Sequence, residues 1–235
     1  MPTAGDARRA VVAAAVTLLG LLPSAPAAAV EPESAPYRSS AWATVGILGG
    51  STVVDDRLRN YSWDTRPHAA WGAQVLAGRG RVALGTRVWR SRTVQVLELP
   101  AGTQSPAVRS TTLELLARTR VASPLGTQLW AGASAGRLHI DYQPDRVLVS
   151  SGPGGEVVAD LLPVREWIAG AGLSLQLPLL ARWSAGVDLD RQFFSLDTAH
   201  RSGAVVVDRR EAFGDWSARL EIAWLLSPSV KGISR

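Results

Sequence analysis

The chain has 235 residues, no cysteine and a formal net charge of +5 at pH 7, which excludes a disulfide framework and thiolate chemistry. Its positive charge is carried almost entirely by arginine, with Lys231 as the only lysine. Because these arginines are scattered and form no compact basic cluster, the composition argues against a nucleic-acid-binding protein.

The first 29 residues have the pattern of a secretory signal peptide. Arg8 and Arg9 precede an apolar run from Ala10 to Leu22, and small residues ending in Ala27-x-Ala29 follow. This run is shorter than the about 20 residues that a membrane helix needs. We therefore predict cleavage near Ala29 and divide the chain into a signal peptide, a flexible N-terminal segment, a barrel domain and a C-terminal tail, at 1–29, 30–40, 41–226 and 227–235.

From Ala41 onward, eight segments alternate apolar and polar residues with the period of two that is typical of a strand with unlike faces. No later apolar run is long enough for a membrane helix, so a mature chain that spans a membrane has to form a closed barrel. The connections between the segments are alternately long and short. The strands are predicted at about 41–52, 68–77, 81–92, 110–121, 128–142, 166–177, 183–190 and 213–226.

Two of these segments carry more specific expectations. In the fifth, Leu138 and Ile140 stand out of phase with the preceding apolar positions, which predicts a β-bulge near Gly136. In the eighth, apolar residues from Trp216 to Leu226 alternate with Ser217, Arg219 and Glu221. A final long loop is predicted at about 195–212.

The tryptophans lie near strand ends and predict two aromatic girdles at the two faces of a membrane. Trp89 and Trp130 have lumen parity by simple counting and are expected to be core residues instead. The predicted girdle residues are Trp42, Trp71, Trp167, Trp183, Trp216 and Trp224.

The opposite faces of the strands carry charges, which places four basic and four acidic side chains inside the barrel. Buried charges have to be paired, so we predict a salt-bridge network across the lumen, with Asp188 near Arg219. An eight-stranded barrel has room only for side chains, which favours a structural plug over catalytic carboxylates or a gated ion path. The predicted network comprises Arg87, Glu114, Arg118, Arg120, Asp188, Asp190, Arg219 and Glu221.

The signal peptide, the eight alternating strands, the long and short connections and the tryptophan girdles together resemble the small outer-membrane β-barrel proteins typified by the OmpA transmembrane domain, OmpX and OmpW. Ser217, Ile222 and Trp224 fit the C-terminal assembly signal of this family, whereas Arg219 occupies the place of its glycine. The resemblance implies an all-β fold, an eight-stranded antiparallel up-and-down transmembrane barrel with short periplasmic turns and long extracellular loops. It also implies a bacterial outer-membrane location, with membrane lipid, lipopolysaccharide and the barrel-assembly machinery as partners.

Within this family the activities vary, and a fold does not imply a function. We predict a structural or surface-interaction role without a large pore, and no catalytic, cofactor-binding or metal site. One alternative is a lipid-modifying outer-membrane enzyme that uses His139 with Asp141, or His200 with Asp197 and Ser202. The other is a soluble lipocalin-like carrier, which would place its apolar residues inside and its charges outside.

Overall fold

A computed structural model of the chain describes residues 41–123, 126–150, 155–202 and 205–226, with the side chains of residues 199–206 outside this set. The predicted signal peptide, N-terminal segment and C-terminal tail lie outside the described residues. Among the residues described, no helix is long and apolar enough to cross a membrane.

Eight long antiparallel strands form a closed barrel, in which each strand pairs with its neighbours in sequence order and the first pairs with the last. The predicted fold class is therefore confirmed. The barrel strands are β1 (Ala41–Val53), β2 (His68–Arg79), β3 (Val82–Val94), β6 (Ala107–Ala122), β7 (Gln128–Gln143), β10 (Val164–Leu180), β11 (Trp183–Ser202) and β12 (Val205–Leu226).

The long connections all lie at one end of the barrel, here called the loop end, and the short ones at the turn end. The first long connection contains a 3-10 helix (Asp56–Tyr61). The next two contain small hairpins, formed by β4 (Leu97–Leu99) with β5 (Gly102–Gln104) and by β8 (Arg146–Ser150) with β9 (Val157–Asp160).

The strands are staggered as they pass around the barrel. Following the paired residues once round from Val164 leads through Ile140, Gly50 and Asp188 to Ser174 on the same strand, a shift of ten residues. A stagger of this kind requires strands that tilt from the barrel axis by about 35–45°. With only eight strands, the interior has room for side chains and little else.

The seam between β1 and β12 pairs Ala43 with Leu226 at one end and Val53 with Trp216 at the other. The alternation of β1 is weak in sequence because glycines replace side chains where β12 approaches closely. A Cβ at Gly50 would overlap backbone atoms of β12, and one at Gly46 would collide with the Glu221 carboxylate. The glycines therefore let the barrel close.

The predicted final loop at 195–212 is wrong. Both strands continue through it, paired from Ser195 with Ala212 to Ser202 with Val205. Its polar composition suggested a loop, but a two-stranded ribbon satisfies its own backbone hydrogen bonds and does not need an apolar face on both sides.

The predicted bulge near Gly136 is also wrong. Pairing runs without interruption through Gly136, which stands opposite Glu114 on β6 and Ile168 on β10. Leu138 and Ile140 remain on the lumen face. The apparent change of phase arises because the lumen itself changes from charged to apolar at this height.

The outer face of the barrel carries an uncharged band. Between the tryptophans at its two ends, every outward-facing position holds an apolar residue, glycine or threonine. Many of these side chains are exposed, including Ile47 at 67% and Leu115 at 68%. The apolar surface is therefore outside the barrel, while the charges of the same strands are inside it.

Candidate functional site

The barrel lumen contains a charged layer near the middle of the strands. Of the eight predicted network residues, seven are buried there, namely Arg87, Glu114, Arg118, Asp188, Asp190, Arg219 and Glu221. Arg120 differs, because it lies half-buried at the turn end with its guanidinium 5.9 Å from the Trp130 ring centroid.

Arg87 is the centre of this charged layer. Its Nη2 donates to Oε2 of Glu114 at 2.8 Å, and its Nη1 donates to Oδ2 of Asp190 at 2.6 Å. The same Asp190 oxygen also accepts from Arg219. Gln192 donates to the second oxygen of Glu114 at 2.7 Å. A chain of alternating charges therefore crosses the lumen from β6 to β12.

A second group of polar side chains lies nearer the turn end. Arg118 donates to Oδ2 of Asp188 at 3.0 Å, and Glu221 accepts from Gln74 at 2.6 Å and from Gln176 at 3.3 Å. Arg219 is the register partner of Asp188, as its position suggested, but its guanidinium bonds to Asp190 instead. Arg87 and Glu114 are register partners, and Arg219 and Asp190 are diagonal neighbours on adjacent strands, whereas Arg118 reaches Asp188 across the lumen.

The layer extends to the β1–β12 seam through neutral groups. Nε1 of Trp89 donates to Oγ1 of Thr52 at 3.1 Å, and Thr52 shares a hydrogen bond of 3.1 Å with Ser217. The Arg219 guanidinium lies 4.7 Å from the Trp89 ring centroid. Sequence reasoning did not assign these partners or Gln74 and Gln192, although their lumen parity was a usable signal.

An apolar cluster, the turn-end seal, closes the lumen below the charged layer. Trp42 belongs to it, only 5% exposed, with its ring centroid 5.8 Å from that of Trp130. The prediction of Trp42 as a girdle residue is therefore wrong. Its strand position shares the parity of Thr44 and Leu48, and Gly78 on β2 leaves the space that the indole fills. The seal consists of Trp42, Leu76, Ala83, Leu116, Trp130 and Leu225.

A larger apolar cluster, the loop-end seal, closes the opposite side. It combines lumen-facing residues such as Ile140 and Phe213 with Leu58 and Trp63 of the first long loop. The residual cavity within the charged layer is only about 10 Å³, which is room for about one water molecule. The described part of the lumen is thus a filled interior with apolar layers on both sides of buried ion pairs.

Asp55 fixes the first long loop over the barrel mouth. It accepts from the amide of Gly214 at 3.0 Å and from the side chain and amide of Arg57, while its own amide donates to Asp215 at 3.1 Å. Burial alone would raise the pKa of Asp55, but the hydrogen bonds from Arg57 and Gly214 hold this pKa below its ordinary value. The loop therefore depends on an ionised carboxylate.

A cleft of about 290 Å³ opens at the mouth above the loop-end seal. Tyr61 and Trp63 of the first long loop form one wall, and Ile140, Tyr142 and Val164 form the opposite one. Since Ile140 and Trp63 also belong to the seal beneath it, the cleft ends at the mouth and is not the entrance to a passage.

The candidate catalytic residues lie on two strands, His139 and Asp141 on β7 and Asp197, His200 and Ser202 on β11. Nε2 of His139 lies 2.9 Å from Oδ1 of Asp141, and both side chains are well exposed on the outer face. Nε2 of His68 lies within hydrogen-bonding distance of the Thr93 hydroxyl. The side chain of His200 lies outside the described residues. Among the residues that the structure describes, no three His, Cys, Asp or Glu side chains form a group suited to a metal ion.

Five of the six predicted girdle tryptophans face outward. Trp71 and Trp167 at the loop end are 63% and 65% exposed, and Trp216 at the same end is half-buried. At the turn end, Trp183 and Trp224 stack on each other with ring centroids 5.9 Å apart. The uncharged band is therefore bounded by aromatic residues at both ends, as barrels that span membranes commonly are.

No protein-family model matches this chain, and no curated protein matches it either. Solved structures do. The chain is similar to Neisserial surface protein A (NspA), with 6% identity and a TM-score of 0.43 over 78% of this chain and 96% of that one. A major outer membrane protein from Thermus thermophilus has 16% identity and a TM-score of 0.41 over 80% and 100%. Ail of Yersinia pestis has 12% identity and a TM-score of 0.39 over 79% of this chain and 99% of that one. These likenesses concern the barrel fold alone.

Proposed function

We propose that the protein is an outer-membrane β-barrel with a structural or surface-interaction role, a plugged lumen and no enzymatic activity. The observation that carries this proposal is the uncharged outer band, bounded by tryptophans, around a lumen of buried ion pairs. Lipid outside and paired charges inside satisfy both surfaces at once.

A soluble carrier barrel fits these observations poorly. Exposed side chains such as Ile47, Leu115 and Trp167 would then face water around the whole circumference. Soluble monomers rarely expose contiguous apolar patches beyond a few hundred Å². A carrier would also keep its interior apolar and open for a ligand, whereas Arg87 and Arg219 fill this interior with charge.

Cell fractionation tests the location. We expect the protein to leave the outer-membrane fraction only with detergent, and to migrate differently on gels before and after boiling, because a folded barrel resists unfolding by the gel detergent. Recovery of the protein in the soluble periplasmic fraction would refute the membrane assignment.

Planar-bilayer recording tests the plugged lumen. We expect no stable large conductance, since the two apolar seals and the charged layer leave a cavity of only about 10 Å³. A large and lasting conductance from the purified barrel would show that the plug is not the functional state.

The absence of enzymatic activity is tested on phosphorylated glycolipid such as lipid A. The His139–Asp141 pair lies on the outer face, where a nucleophile and a base would have to meet within about 2.6–3.2 Å. We expect no change in the mass of the lipid after incubation with the protein. Lipid modification that is lost in His139→Ala or His200→Ala would establish the enzyme alternative.

We further propose recognition by the barrel-assembly machinery through β12. Ile222 and Trp224 project outward from this strand, while Ser217 is buried on the lumen face. Trp224→Ala is expected to slow assembly more than Trp183→Ala, its stacking partner, when heat-modifiable protein is followed over time. Equal assembly rates for the two variants would argue against this recognition.

A further inference from the structure

The outward tryptophans at the loop end each stand directly opposite an arginine on the adjacent strand. The cross-strand pairs are Trp71 with Arg90, Trp167 with Arg137, and Trp216 with Arg191. In these pairs the guanidinium carbon lies 5.7, 3.8 and 5.3 Å from the ring centroid, close enough for a cation–π interaction. At the turn end the tryptophans stack on each other instead.

Three further arginines extend this set around the loop end of the outer face. Arg92 and Arg109 are register partners on β3 and β6, and Arg165 projects from β10 two residues before Trp167. All are exposed. Together the six form a group that we call the rim arginines: Arg90, Arg92, Arg109, Arg137, Arg165 and Arg191.

The rim arginines have no counter-ion within the described part of the chain. Every lumen arginine of the charged layer bonds to a carboxylate, as Arg87 does to Glu114 and Asp190. In contrast, no carboxylate among the described residues forms an ion pair with a rim arginine. Asp141 is the register partner of Arg109 on β7, but its carboxylate is paired with His139. The partner of these six charges is therefore not a carboxylate among the residues that the structure describes.

The register pair of Arg92 and Arg109 indicates what kind of partner this is. Like charges directly opposite each other on a sheet are destabilising, and both side chains face outward at the edge of the uncharged band. An anion that binds two guanidinium groups at once removes this repulsion. Phosphate does so well, because its oxygens accept paired N–H bonds from the planar guanidinium.

The tryptophans hold the guanidinium groups in a suitable position. An arginine lying over an indole face uses its own face for that contact and leaves the N–H donors at its edge free. The closest pair, Arg137 over Trp167 at 3.8 Å, shows this arrangement at the boundary of the apolar band. Lipid phosphates lie at this same boundary when acyl chains cover the band.

We propose that the rim arginines bind the phosphate groups of a phosphorylated glycolipid in the leaflet that faces the loops, in place of the divalent cations that otherwise bridge such phosphates. This inference rests on the proposed outer-membrane location. A glycolipid with several phosphates matches a row of arginines that spans β3 and β6 and recurs on β7, β10 and β11. Four arginines occur at the turn end. Arg79, Arg81 and Arg182 lack a tryptophan opposite them, and Arg120 is half-buried against the lumen residue Trp130.

The test compares two triple variants with equal loss of charge. Arg90→Gln/Arg92→Gln/Arg109→Gln removes neighbouring rim arginines, and Arg79→Gln/Arg81→Gln/Arg182→Gln removes the turn-end set. Each purified barrel is titrated, in detergent with EDTA, with bis-phosphorylated lipid A, with its dephosphorylated form and with phosphatidylglycerol, and binding is followed by tryptophan fluorescence.

We expect the wild-type and turn-end variant to bind bis-phosphorylated lipid A despite EDTA, and the rim variant to bind it about tenfold or more weakly, since bonds between charged groups are among the strongest available. A rim variant in which lysine replaces the same arginines should have intermediate affinity, because lysine keeps the charge but lacks the planar fork.

Equal affinity of the rim and turn-end variants would overturn the proposal, as would equal binding of the dephosphorylated lipid. Equal binding of phosphatidylglycerol would overturn the assignment to a glycolipid. Heat-modifiable mobility is measured for every protein. If the glutamine variant does not fold, the lysine variant is compared with the wild type and the turn-end variant instead. A wild-type protein found outside the outer membrane would refute the proposed function and this inference with it.

Discussion

Replacing Arg87 by methionine tests whether the charged layer stabilises the barrel. Among the residues that the structure describes, the change removes the only cation bonded to Glu114 and one of the two bonded to Asp190. Both carboxylates stay buried, and a buried charge left without its partner costs about 3–5 kcal/mol. We therefore expect the free energy of unfolding to fall by about this amount, which is a factor of roughly 10²–10⁴ in the unfolding equilibrium.

The measurement is urea unfolding in detergent micelles, followed by tryptophan fluorescence and by gel mobility without boiling. Arg79→Met is the matched control, since this side chain is exposed at the end of β2 and surface substitutions usually stay within about 0.5 kcal/mol. The double variant Arg87→Met/Glu114→Gln removes the uncompensated charge, so it should recover most of the lost stability.

The recovery is the decisive part of this experiment. A methionine that destabilised only through poor packing would destabilise the double variant equally, because Glu114→Gln does not change the packing around position 87. A loss below about 1 kcal/mol for the single variant, or no recovery in the double variant, would refute the role assigned to the ion pairs.

Three further predictions concern the seam, the mouth and the turn-end seal. Gly50→Ala should destabilise the barrel by about 1–3 kcal/mol, because its Cβ would overlap backbone atoms of β12, and this lowers the thermal midpoint of the gel-mobility change. The adjacent Gly49→Ala should be neutral, since a Cβ there has nothing within 4 Å. Equal midpoints for the two variants would contradict this. Because the pKa of Asp55 is lowered, its stabilisation is complete above about pH 4 and is lost as pH falls through that lowered pKa. Hydrogen-exchange protection of amides 54–66 should therefore drop in acid and be low already at pH 7 in Asp55→Asn. Protection unaffected by either change would show that Asp55 does not fix the first long loop. Brominated lipid quenches the fluorescence of tryptophans that face it. The quenched amplitude should therefore fall in Trp183→Phe and stay unchanged in Trp42→Phe. The reverse result would place Trp42 outside the barrel.

The sequence predicts the barrel because apolar residues of the outer face alternate with polar residues of the lumen along each strand. Alternation places Leu115 and Ile222 outside and Glu114 and Glu221 inside, whatever the neighbouring strands do. The same rule fails beyond the uncharged outer band. Between Ser195 and Ala212 the two strands pair with each other, so their strand conformation depends on this pairing more than on an alternation of hydrophobicity.

The partners that meet across the lumen, such as Arg118 and Asp188, could not be predicted from the sequence. Parity identified Asp188 and Arg219 as lumen residues, but the ten-residue stagger and the width of the barrel decide which side chains meet across it. Trp42 was assigned by its closeness to a strand end, whereas the space beside Gly78 on another strand determines where its ring lies. The cross-lumen ion pairs and the position of the Trp42 ring both depend on contacts between strands, which the pattern of a single strand does not contain.

On the proposed outer-membrane location, the ion pairs around Asp190 have a consequence for how the chain enters the membrane. Its carboxylate on β11 serves Arg87, 103 residues earlier, and Arg219, 29 residues later. Strands delivered singly would carry each of these charges into hydrocarbon alone, at a cost of several kcal/mol for each charge. The early strands therefore have to remain in contact with water or with another protein until the last strands have been added. Insertion of this barrel is then a single cooperative event, in which neutralisation of the interior and completion of the wall occur together.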